Sequence, residues 1–317
     1  MTFQDMTQAQ LGELVPAHLP LAYTEEFSVF AKLRHNATRR LVALMDGGRP
    51  VMVLPVFIYR QAGIVIAEVP VSSYYTTPVI LDASAEVTLP SVEQKLRKFV
   101  DADILVTNIA QTGPVPTQFT AFIFDAQGEQ SADRVLAGVV DHKTRNQIRA
   151  AAARGVSTKE LPVSQLQDAY ALYCLHHRQN GFATRPFQQL EAFREAFGSN
   201  LKLFGAFIEG KLVAVNVAVL SGNYLWLAIN ASDRTHHSSY PNDAVYWAMI
   251  EWGLAHGVRY FDYGGSLTSD NGGVHFKEAL GGVAHPLMRR TIYRSWWSRV
   301  IFAMHRKWRH LRMRLGH

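Results

Sequence analysis

The stretch that indicates the fold and the candidate site of this chain is Val258-Arg-Tyr-Phe-Asp-Tyr-Gly-Gly-Ser-Leu-Thr-Ser-Asp-Asn-Gly-Gly-Val-His-Phe-Lys-Glu-Ala-Leu-Gly281. It begins as a strand, because its first residues are aromatic and the pair Gly264-Gly265 ends the run. A polar, glycine-rich loop is predicted from Ser266 to Gly273, and Phe276 and Lys277 follow it. A strand that ends in glycines lets another backbone or a ligand approach closely. The sequence therefore predicts a site that holds one cation beside one aromatic ring.

This stretch resembles the signature of the Fem-type transferases, which add amino acids to the peptide of the bacterial cell-wall precursor. In that family an aromatic-Asp-aromatic-Gly strand precedes a glycine-containing loop, then Phe-Lys and a further Gly. Here the pattern reads Phe261-Asp262-Tyr263-Gly264, then Phe276-Lys277, then Gly281. Leu280 stands where the family usually has Trp.

The resemblance implies an α/β (α+β) fold of two tandem GNAT-like (acetyltransferase-like) domains, each a mixed sheet with flanking helices. A length of 317 residues also favours two domains over one. We expect the N-terminal domain at residues 1–140 and the C-terminal domain, with the Phe-Lys motif, at 141–287. A basic amphipathic helix is expected over 288–317.

An internal duplication supports two domains. Two apolar runs flank Asp46-Gly-Gly48, which is a strong hairpin signal, and the same strand–Gly–strand order recurs over Leu201–Leu220. In each half a predicted helix and a final strand follow, the strand containing Ile104 in the first half and Phe261 in the second. Chance similarity is the alternative, since such hairpins are common, but the matching order of the later elements favours duplication.

The composition describes a globular chain. Hydrophobic residues make up 48% and charged residues 18%, which provides enough apolar side chains for a core. The single cysteine, Cys174, excludes an internal disulfide and a four-cysteine zinc site. We expect no signal peptide and find no apolar run of about 18 residues, the length that spans a bilayer. A cytoplasmic protein is expected.

The net charge of +6 is concentrated at the C-terminus. Nine of the 32 Lys and Arg residues lie after residue 288 with no acid among them, so the rest of the chain carries 23 bases against 26 acids. Apolar residues recur between these bases at helical spacing: Trp297, Val300 or Ile301, Met304, Trp308, Leu311 and Leu315. Tryptophan and arginine on one helix suit an anionic membrane or a nucleic-acid backbone. We expect peripheral contact with the inner membrane face through 289–317, or else a helix packed on the protein body.

Three residues of the opening stretch are candidates for catalysis. The resemblance gives Lys277 a donor-side role, in which its ammonium stabilises the charge that develops when an amine attacks a carbonyl. Phe276 would keep water away from it. The alternative for Lys277 is a surface lysine beside Glu278. Asp262 lies on an apolar strand and is either a general base or a carboxylate that accepts hydrogen bonds from loop amides.

The substrate-binding candidates lie in several segments. The resemblance implies that Arg178, with Phe182 four residues later, helps to hold a phosphate-bearing acceptor, because the guanidinium donates two parallel hydrogen bonds. The alternative is a surface arginine near the negative end of a helix dipole. The other candidates are Arg185, Tyr263, Gly264, Gly265 and Asn242.

The stretch from His142 to Gly155 reads as an alanine-rich helix that ends at glycine. It resembles the helix with spaced arginines that opens the second domain of Fem-type proteins. The cations of such a helix otherwise form an ordinary solvated face.

Other chemistries find little support. The His-His pairs at 176–177 and 236–237 do not share a helix face, so we expect no metal site. No Gly-x-Ser-x-Gly elbow, Walker loop or dinucleotide fingerprint occurs in the sequence. Acetyl-CoA-dependent GNAT enzymes usually bind pyrophosphate with an Arg-x-x-Gly-x-Gly turn, but the equivalent segment here, Ser238-Ser-Tyr-Pro-Asn-Asp243, lacks those glycines.

We therefore predict an N-acyltransferase that moves an aminoacyl group from aminoacyl-tRNA to an amine of a cell-wall precursor or another small-molecule or lipid-linked acceptor. The donor is a co-substrate, and no cofactor is expected. One alternative keeps the fold and takes the acyl group from acyl-CoA or acyl carrier protein. Another is a non-catalytic protein that binds membrane or nucleic acid through its basic tail.

Overall fold

The computed structural model describes residues 1–15, 19–71, 74–85, 88–111 and 117–304. The chain divides into two compact units, one made of Met1–Val115 with Leu287–His317 and the other of Pro116–Pro286. The expected domain boundary at residues 140 and 141 lies inside the second unit. The expected boundary at 287 and 288 lies inside the strand Val283–Tyr293, whose residues from Leu287 onward belong to the first unit.

The strands are β1 (Thr2–Met6), β2 (Thr38–Asp46), β3 (Arg49–Gln61), β4 (Ile64–Val69), β5 (Val79–Ile80), β6 (Ile104–Ala110), β7 (Phe119–Asp125), β8 (Ser157–Leu161), β9 (Leu201–Ile208), β10 (Lys211–Ser221), β11 (Tyr224–Ser232), β12 (Tyr260–Leu267) and β13 (Val283–Tyr293). The helices are α1 (Gln8–Leu14), α2 (Glu25–His35), α3 (Leu89–Phe99), α4 (Ala132–Gly138), α5 (His142–Ala153), α6 (Leu166–Asn180), α7 (Gln188–Phe197), α8 (Pro241–Ala255) and α9 (Asn271–Ala279). A further helix covers residues 296–304.

The sheet of the first unit has the strand order β1-β2-β3-β4-β6, and the second half of β13 pairs antiparallel with β6. The hairpin predicted around Asp46-Gly-Gly48 is present as the antiparallel pair β2 and β3. β4 and β6 are parallel neighbours and α3 connects them. Leu89, Val92 and Leu96 of α3 pack on one face of this sheet.

The sheet of the second unit begins with the first half of β13 and continues β7-β12-β11-β10-β9-β8. β9 and β10 form an antiparallel hairpin, β11 joins it antiparallel, and α8 leads to β12, which is parallel to β11. Both units thus contain a hairpin, a third strand, a helix and a parallel fourth strand in the same order. The predicted duplication is confirmed at the level of topology.

Helix α8 is the centre of the core of the second unit. Val245, Met249 and Ile250 are buried against a cluster that includes Phe122 of β7 and Phe261 of β12. Fully burying a side chain of this size contributes about 1.5–3 kcal/mol. This packing fixes β12, which carries part of the candidate site, and its neighbour β7.

The basic C-terminal segment differs from its prediction in part. Residues 288–293 belong to β13 and are not helical, because they pair with β6 over the full length from Leu287 to Tyr293. Two of the bases counted as a tail are ion-paired within the first unit: Arg290 lies 2.8 Å from the buried carboxylate of Glu93, and Arg294 lies 3.1 Å from the exposed carboxylate of Asp101.

The helix at residues 296–304 has two different faces. Ile301 and Phe302 pack against the cluster of Ile64, Ile66, Ile104 and Val106, whereas Trp296 and Trp297 are 62% and 60% exposed. The two tryptophan rings stack with centroids 3.8 Å apart. The predicted positions Trp308, Leu311 and Leu315 and the last five bases lie outside the described residues. Within the described parts of the chain, no helix combines the length and the apolar character needed to cross a bilayer.

Candidate active site

The site begins where two parallel strands separate. β11 and β12 pair only from Tyr224 to Trp226 and from Tyr260 to Asp262, and the ladder stops there in these described strands. The later residues of β11 therefore present backbone groups towards the space beside β12. The Gly264-Gly265 pair of the sequence follows the last paired residue, Asp262, after one intervening residue, Tyr263.

Gly264 turns the backbone at this point. Its φ of +73° lies in the left-handed region, which glycine adopts without steric cost. The register between β12 and β7 shifts between Asp262 and Gly265, as in a β-bulge. The amide of Gly264 donates to Oδ1 of Asp262 at 2.8 Å. The predicted approach of another backbone is present, since a Cβ at Gly264 would lie 3.5 Å from the carbonyl oxygen of Leu227.

Asp262 holds this bulge. It is 1% exposed, and its Oδ2 accepts a hydrogen bond of 2.5 Å from the hydroxyl of Tyr224. Burial, and then the charge of Asp262, raise the pKa of Tyr224 well above its ordinary value, so Tyr224 stays protonated and donates. The structure therefore places Asp262 as a carboxylate that accepts hydrogen bonds from a loop amide and a tyrosine, the second of the two interpretations drawn from the sequence.

Lys277 is buried, and the interpretation as a surface lysine is wrong. It lies on α9 and not in a loop, and only 8% of it is exposed. Its ammonium donates to the carbonyl oxygens of Gly264 at 3.0 Å and Gly265 at 3.2 Å. Burial lowers the pKa of Lys277 to about 8, while the charges of Asp262 and Asp270 act in the opposite direction.

The position of α9 is fixed at both ends. Asp270 caps its start by accepting from the amide of Gly273 at 3.1 Å, which is why the predicted loop ends early. The ring of Phe276 packs edge-on against Tyr246 with centroids 4.9 Å apart. At the other end the hydroxyl of Tyr263 donates to the carbonyl of Leu280 at 3.0 Å. Tyr263 is thus a buried packing residue in this structure, although it was a candidate for substrate contact.

Asn242 lies in the first turn of α8 and belongs to a chain of amides. Its Oδ1 accepts from Nδ2 of Asn230 at 2.8 Å, and the same nitrogen donates to Oδ1 of Asn216 at 2.8 Å. Asp243 follows on α8 and is 8% exposed. Burial raises the pKa of Asp243 to about 6, although its own backbone amide and Lys143 act against the shift.

Arg178, Phe182 and Arg185 lie at the end of α6 and in the connection to α7. Arg178 is exposed in the last turn of the helix, and Phe182 is 61% exposed beside the ring of His177. The backbone of Arg185 is held by α6, since its amide donates to the hydroxyl of Tyr173 at 3.1 Å. These three residues form one exposed segment, separate in sequence from the group of Asp262, Gly264, Gly265 and Lys277.

Comparison with known proteins identifies the fold of the chain. Residues 142–278 match the family model described as Acetyltransferase (GNAT) domain. No curated protein matches the chain. The crystal structure of FemX aligns with 91% of this chain and 97% of its own, at 13% identity and a TM-score of 0.68. A tandem GNAT protein from the clavulanic acid biosynthesis pathway, solved without AcCoA, aligns with 92% and 98%, at 15% identity and a TM-score of 0.55.

This is a tandem GNAT fold. Residues 142–278 of its second unit match the Acetyltransferase (GNAT) domain model, and the predicted resemblance to the Fem-type transferases is confirmed at the level of the fold. Within the described residues of this GNAT fold, no group of three or more His, Cys, Asp or Glu side chains is placed to hold a metal ion.

The sequence did not single out Asp233, which organises the β11–α8 connection of this GNAT domain. Its carboxylate accepts from Gln179 of α6 at 3.0 Å and from Thr235 at 2.8 Å, and Lys211 lies 3.4 Å away. Burial alone would raise the pKa of Asp233, but these partners outweigh it and hold the pKa well below the ordinary value. Asp233 is the N-cap of the short helix Arg234–Ser239. Asp is a preferred N-cap residue, so an Asp directly before Arg234-Thr235 is the sequence signal that could have revealed it.

Proposed function

We propose that this protein is an N-acyltransferase that transfers an aminoacyl group from aminoacyl-tRNA to an amine of a cell-wall precursor or another small-molecule acceptor. The observation that supports it most is the buried ammonium of Lys277, held by two glycine carbonyls where β11 and β12 separate. The match to an acetyltransferase family model over 142–278 supports acyl transfer in general. The fold shared with FemX favours the aminoacyl form.

In the proposed reaction the acceptor amine attacks the ester carbonyl carbon of the donor. A C–N bond forms, and the carbonyl oxygen becomes an oxyanion. The intermediate then collapses, the C–O bond to the ribose breaks, and the ribose oxygen takes up the proton that the amine loses. The reaction yields an amide and a free hydroxyl, so it consumes no oxidant or reductant.

Lys277 would act on the charge that this reaction develops. An ammonium in a site shielded from water stabilises an oxyanion more strongly than it would in bulk water. A pKa of about 8 leaves Lys277 mostly protonated at neutral pH and close to the range in which a general acid is effective. In this proposal Asp262 and Tyr224 are positioning residues, because they hold the bulge whose carbonyls hold Lys277.

The acceptor would meet the exposed segment after α6. Arg178 presents its guanidinium to solvent there, and Arg185 lies in the same segment. A planar fork of donors suits a phosphate or carboxylate of the acceptor. Asp233 and Gln179 hold the end of α6 to the β11–α8 connection, which would keep this segment in place relative to β11.

An alternative donor is acyl-CoA or acyl carrier protein. It is favoured by the match to a family model described as an acetyltransferase domain. The start of α8 argues against it. Tyr240 occupies the cap position and Pro241 the first helical position, so this turn offers one amide fewer than the glycine turn that usually binds pyrophosphate.

A membrane contact is also part of the proposal, because a lipid-linked acceptor lies at the membrane surface. The exposed rings of Trp296 and Trp297 suit the membrane interface. After Glu278 the sequence contains no acid, so the charge of this segment is complementary to anionic lipid.

The test is a reaction of purified protein with aminoacyl-tRNA or acyl-CoA and a panel of amine acceptors, read by the mass of the product. An amide product that appears only with aminoacyl-tRNA is expected. A product that forms only with acyl-CoA would show that the donor is acyl-CoA and that the protein is still an acyltransferase. Membrane or RNA binding without turnover of either donor would contradict the proposed enzyme.

A further inference from the structure

The two histidine pairs of the sequence meet in the second unit. His176 and His177 lie near the end of α6, and His237 lies in the short helix Arg234–Ser239 between β11 and α8. Because adjacent residues do not share a helix face, the two histidines of α6 contact different segments. His176 contacts the end of β11, and His177 contacts the exposed segment that follows α6.

His176 binds backbone groups that no strand reaches. The amide of Asp233 donates to the carbonyl of Val213 in β10 at 2.8 Å, so the amide and carbonyl of the preceding residue, Ser232, face the opposite edge of β11. β12 has separated from β11 before this point. Nδ1 of His176 lies 3.0 Å from the carbonyl oxygen of Ser232 and 3.3 Å from its amide nitrogen. The ring thus takes the place of a neighbouring strand.

His237 holds the side chain of the same residue. Its Nε2 lies 3.1 Å from the hydroxyl oxygen of Ser232, which is 4% exposed. A neutral imidazole offers one donor and one acceptor, whereas a charged imidazole offers donors only. Charging of His176 therefore leaves the amide of Ser232 without an acceptor on this ring.

His177 holds the exposed segment after α6. Its Nδ1 donates to the carbonyl of Ala183 at 2.8 Å. The centroid of its ring lies 4.0 Å from that of Tyr173 and 5.8 Å from that of Phe182. Tyr173 stays neutral beside it, because burial raises the pKa of its hydroxyl. The end of α6 is thus joined through histidines to the segment on one side and to β11 on the other.

The charged groups around these rings are mostly positive. Arg185 of the exposed segment acts on His177, and Arg234 acts on His237. The acid that faces the rings is Asp233, and its carboxylate already has Lys211 of β10 at 3.4 Å and His236 at 3.3 Å. A further positive charge on the histidines is therefore met by more repulsion than attraction.

The titration of the rings agrees with this geometry. Burial, and then the charge of His176 and a nearby arginine, lower the pKa of both His177 and His237, while the carbonyl of Ala183 and the charge of Asp233 act in the opposite direction. The unfolded chain therefore takes up protons at these residues before the folded chain, just below about pH 6.5. Their contribution to stability is present at neutral pH and is lost as the pH falls.

We propose that His176, His177 and His237 form an acid-sensitive latch. With neutral rings, the latch holds the end of α6 to the segment 181–187 and to the end of β11. When the rings take up protons, they repel one another and the arginines, and both contacts open. The consequence for catalysis rests on the proposed function, because the segment carries Phe182 and Arg185, which are assigned to the acceptor.

The test is hydrogen–deuterium exchange of the whole protein at about pH 7.5 and about pH 5.5, which bracket the charge change of histidine. The rates are corrected for the intrinsic pH dependence of amide exchange. In wild type, peptides that cover 176–187 and 232–240 should exchange about tenfold faster at the lower pH, as for loss of one hydrogen bond. Peptides of α3 in the first unit should exchange alike at both pH values.

Variants assign the response to the histidines. His176→Gln/His177→Gln/His237→Gln keeps donors and acceptors at each position without a titrating group, and it should exchange alike at both pH values. His177→Gln alone should remove the response of 181–187 and keep that of 232–240, which tests the assignment even where the triple variant does not fold. His256→Gln, at the exposed C-cap of α8, is the control and should respond like wild type.

Exchange in wild type that is unchanged by acid, or a full response of 181–187 in His177→Gln, would overturn the latch. The KM of wild type for the acceptor should rise over the same pH range, and that of the triple variant should stay level. A protein that opens in acid and transfers no acyl group would refute the proposed function and leave the latch intact. Acyl transfer by a protein whose two segments stay closed in acid would do the reverse.

Discussion

At the scale of single residues, the buried ammonium of Lys277 has a thermodynamic consequence. Its pKa of about 8 in the folded protein lies below the ordinary value of about 10.4. Between these two pH values the unfolded chain binds more protons at this residue than the folded chain. The contribution of Lys277 to the free energy of unfolding therefore rises with pH across this window.

Lys277→Met removes this titration and keeps an unbranched side chain of similar length. We expect the variant to gain most in melting temperature relative to wild type at about pH 7, and to lose this gain as the pH approaches about 10.4. The exposed Lys95→Met serves as the control, and thermal melts across the pH range measure all three proteins. A pH-independent difference between Lys277→Met and wild type would contradict the burial of the charge.

Arg178 leads to a prediction about the acceptor. Arg178→Lys keeps the charge and loses the planar fork. We expect the KM for the acceptor to rise about tenfold, as for loss of one charge-assisted hydrogen bond, and the KM for the donor to stay the same. Steady-state kinetics with each substrate varied in turn measure both constants. An equal change in the KM for acceptor and donor would contradict the assignment of Arg178 to the acceptor.

At the scale of elements, Gly281 is where α9 ends and the chain turns towards β13. Its φ is +84°, and a Cβ there would lie 2.4 Å from Cγ1 of Val139 and 3.2 Å from the ring of Phe124. Gly257, after α8, has a φ of +75° with open space around it. Comparing alanine substitutions at Gly257 and Gly281 therefore separates the free-energy cost of the backbone conformation from the cost of steric crowding.

Gly257→Ala should lower the free energy of unfolding by about 1–2 kcal/mol, the cost of the left-handed conformation. Gly281→Ala should lower it by a further 1–3 kcal/mol or so, because the new methyl group overpacks the core. Urea denaturation measures both. Equal losses in the two variants would show that Val139 and Phe124 move aside without cost.

The elements also show what the sequence could predict. Both hairpins, the helix that follows the hairpin in each half (α3 and α8) and the alanine-rich helix α5 follow from local patterns, and they are present in the structure. β1, β7 and β13 were not predicted, because their pairing partners are distant in sequence and their own patterns are short or irregular. β13 in particular was hidden by Arg289 and Arg290, which suggested a continuous basic helix.

The candidate site was predicted in its residue types but not in its geometry. The glycine pair and the Phe-Lys motif located Lys277, Asp262 and Gly264 in one region. The burial of Lys277 could not be predicted, since it depends on the cap at Asp270 and on the bulge at Gly264 that directs two carbonyls at the ammonium. Tyr224 was missed because it lies 38 residues from Asp262 in sequence.

At the scale of the whole molecule, the duplication gives two units of the same strand order, but the Phe-Lys motif occurs in the second unit, where the family model matches. The first unit carries a different exposed feature, the stacked pair Trp296 and Trp297 of the helix at 296–304. This helix covers a core cluster with one face and leaves Trp296 and Trp297 on the other.

The exposed tryptophans lead to a prediction about membranes. The double variant Trp296→Ser/Trp297→Ser should sediment less with phosphatidylglycerol vesicles than wild type, because indole rings contribute strongly at the membrane interface. Val29→Ser/Leu33→Ser, which alters two exposed apolar residues of α2, is the control and should sediment like wild type. Absence of wild-type binding, or an equal loss in both double variants, would contradict the membrane contact.

In the proposed mechanism the ammonium of Lys277 stabilises the charge formed during acyl transfer. The most direct measurement is the single-turnover rate of transfer from aminoacyl-tRNA to the amine acceptor by wild type, Lys277→Met and Lys95→Met. Loss of a positioned transition-state cation should lower the rate of Lys277→Met on the order of 100-fold, with Lys95→Met unchanged and all three proteins folded. A Lys277→Met variant that transfers the acyl group as fast as wild type would contradict the claim.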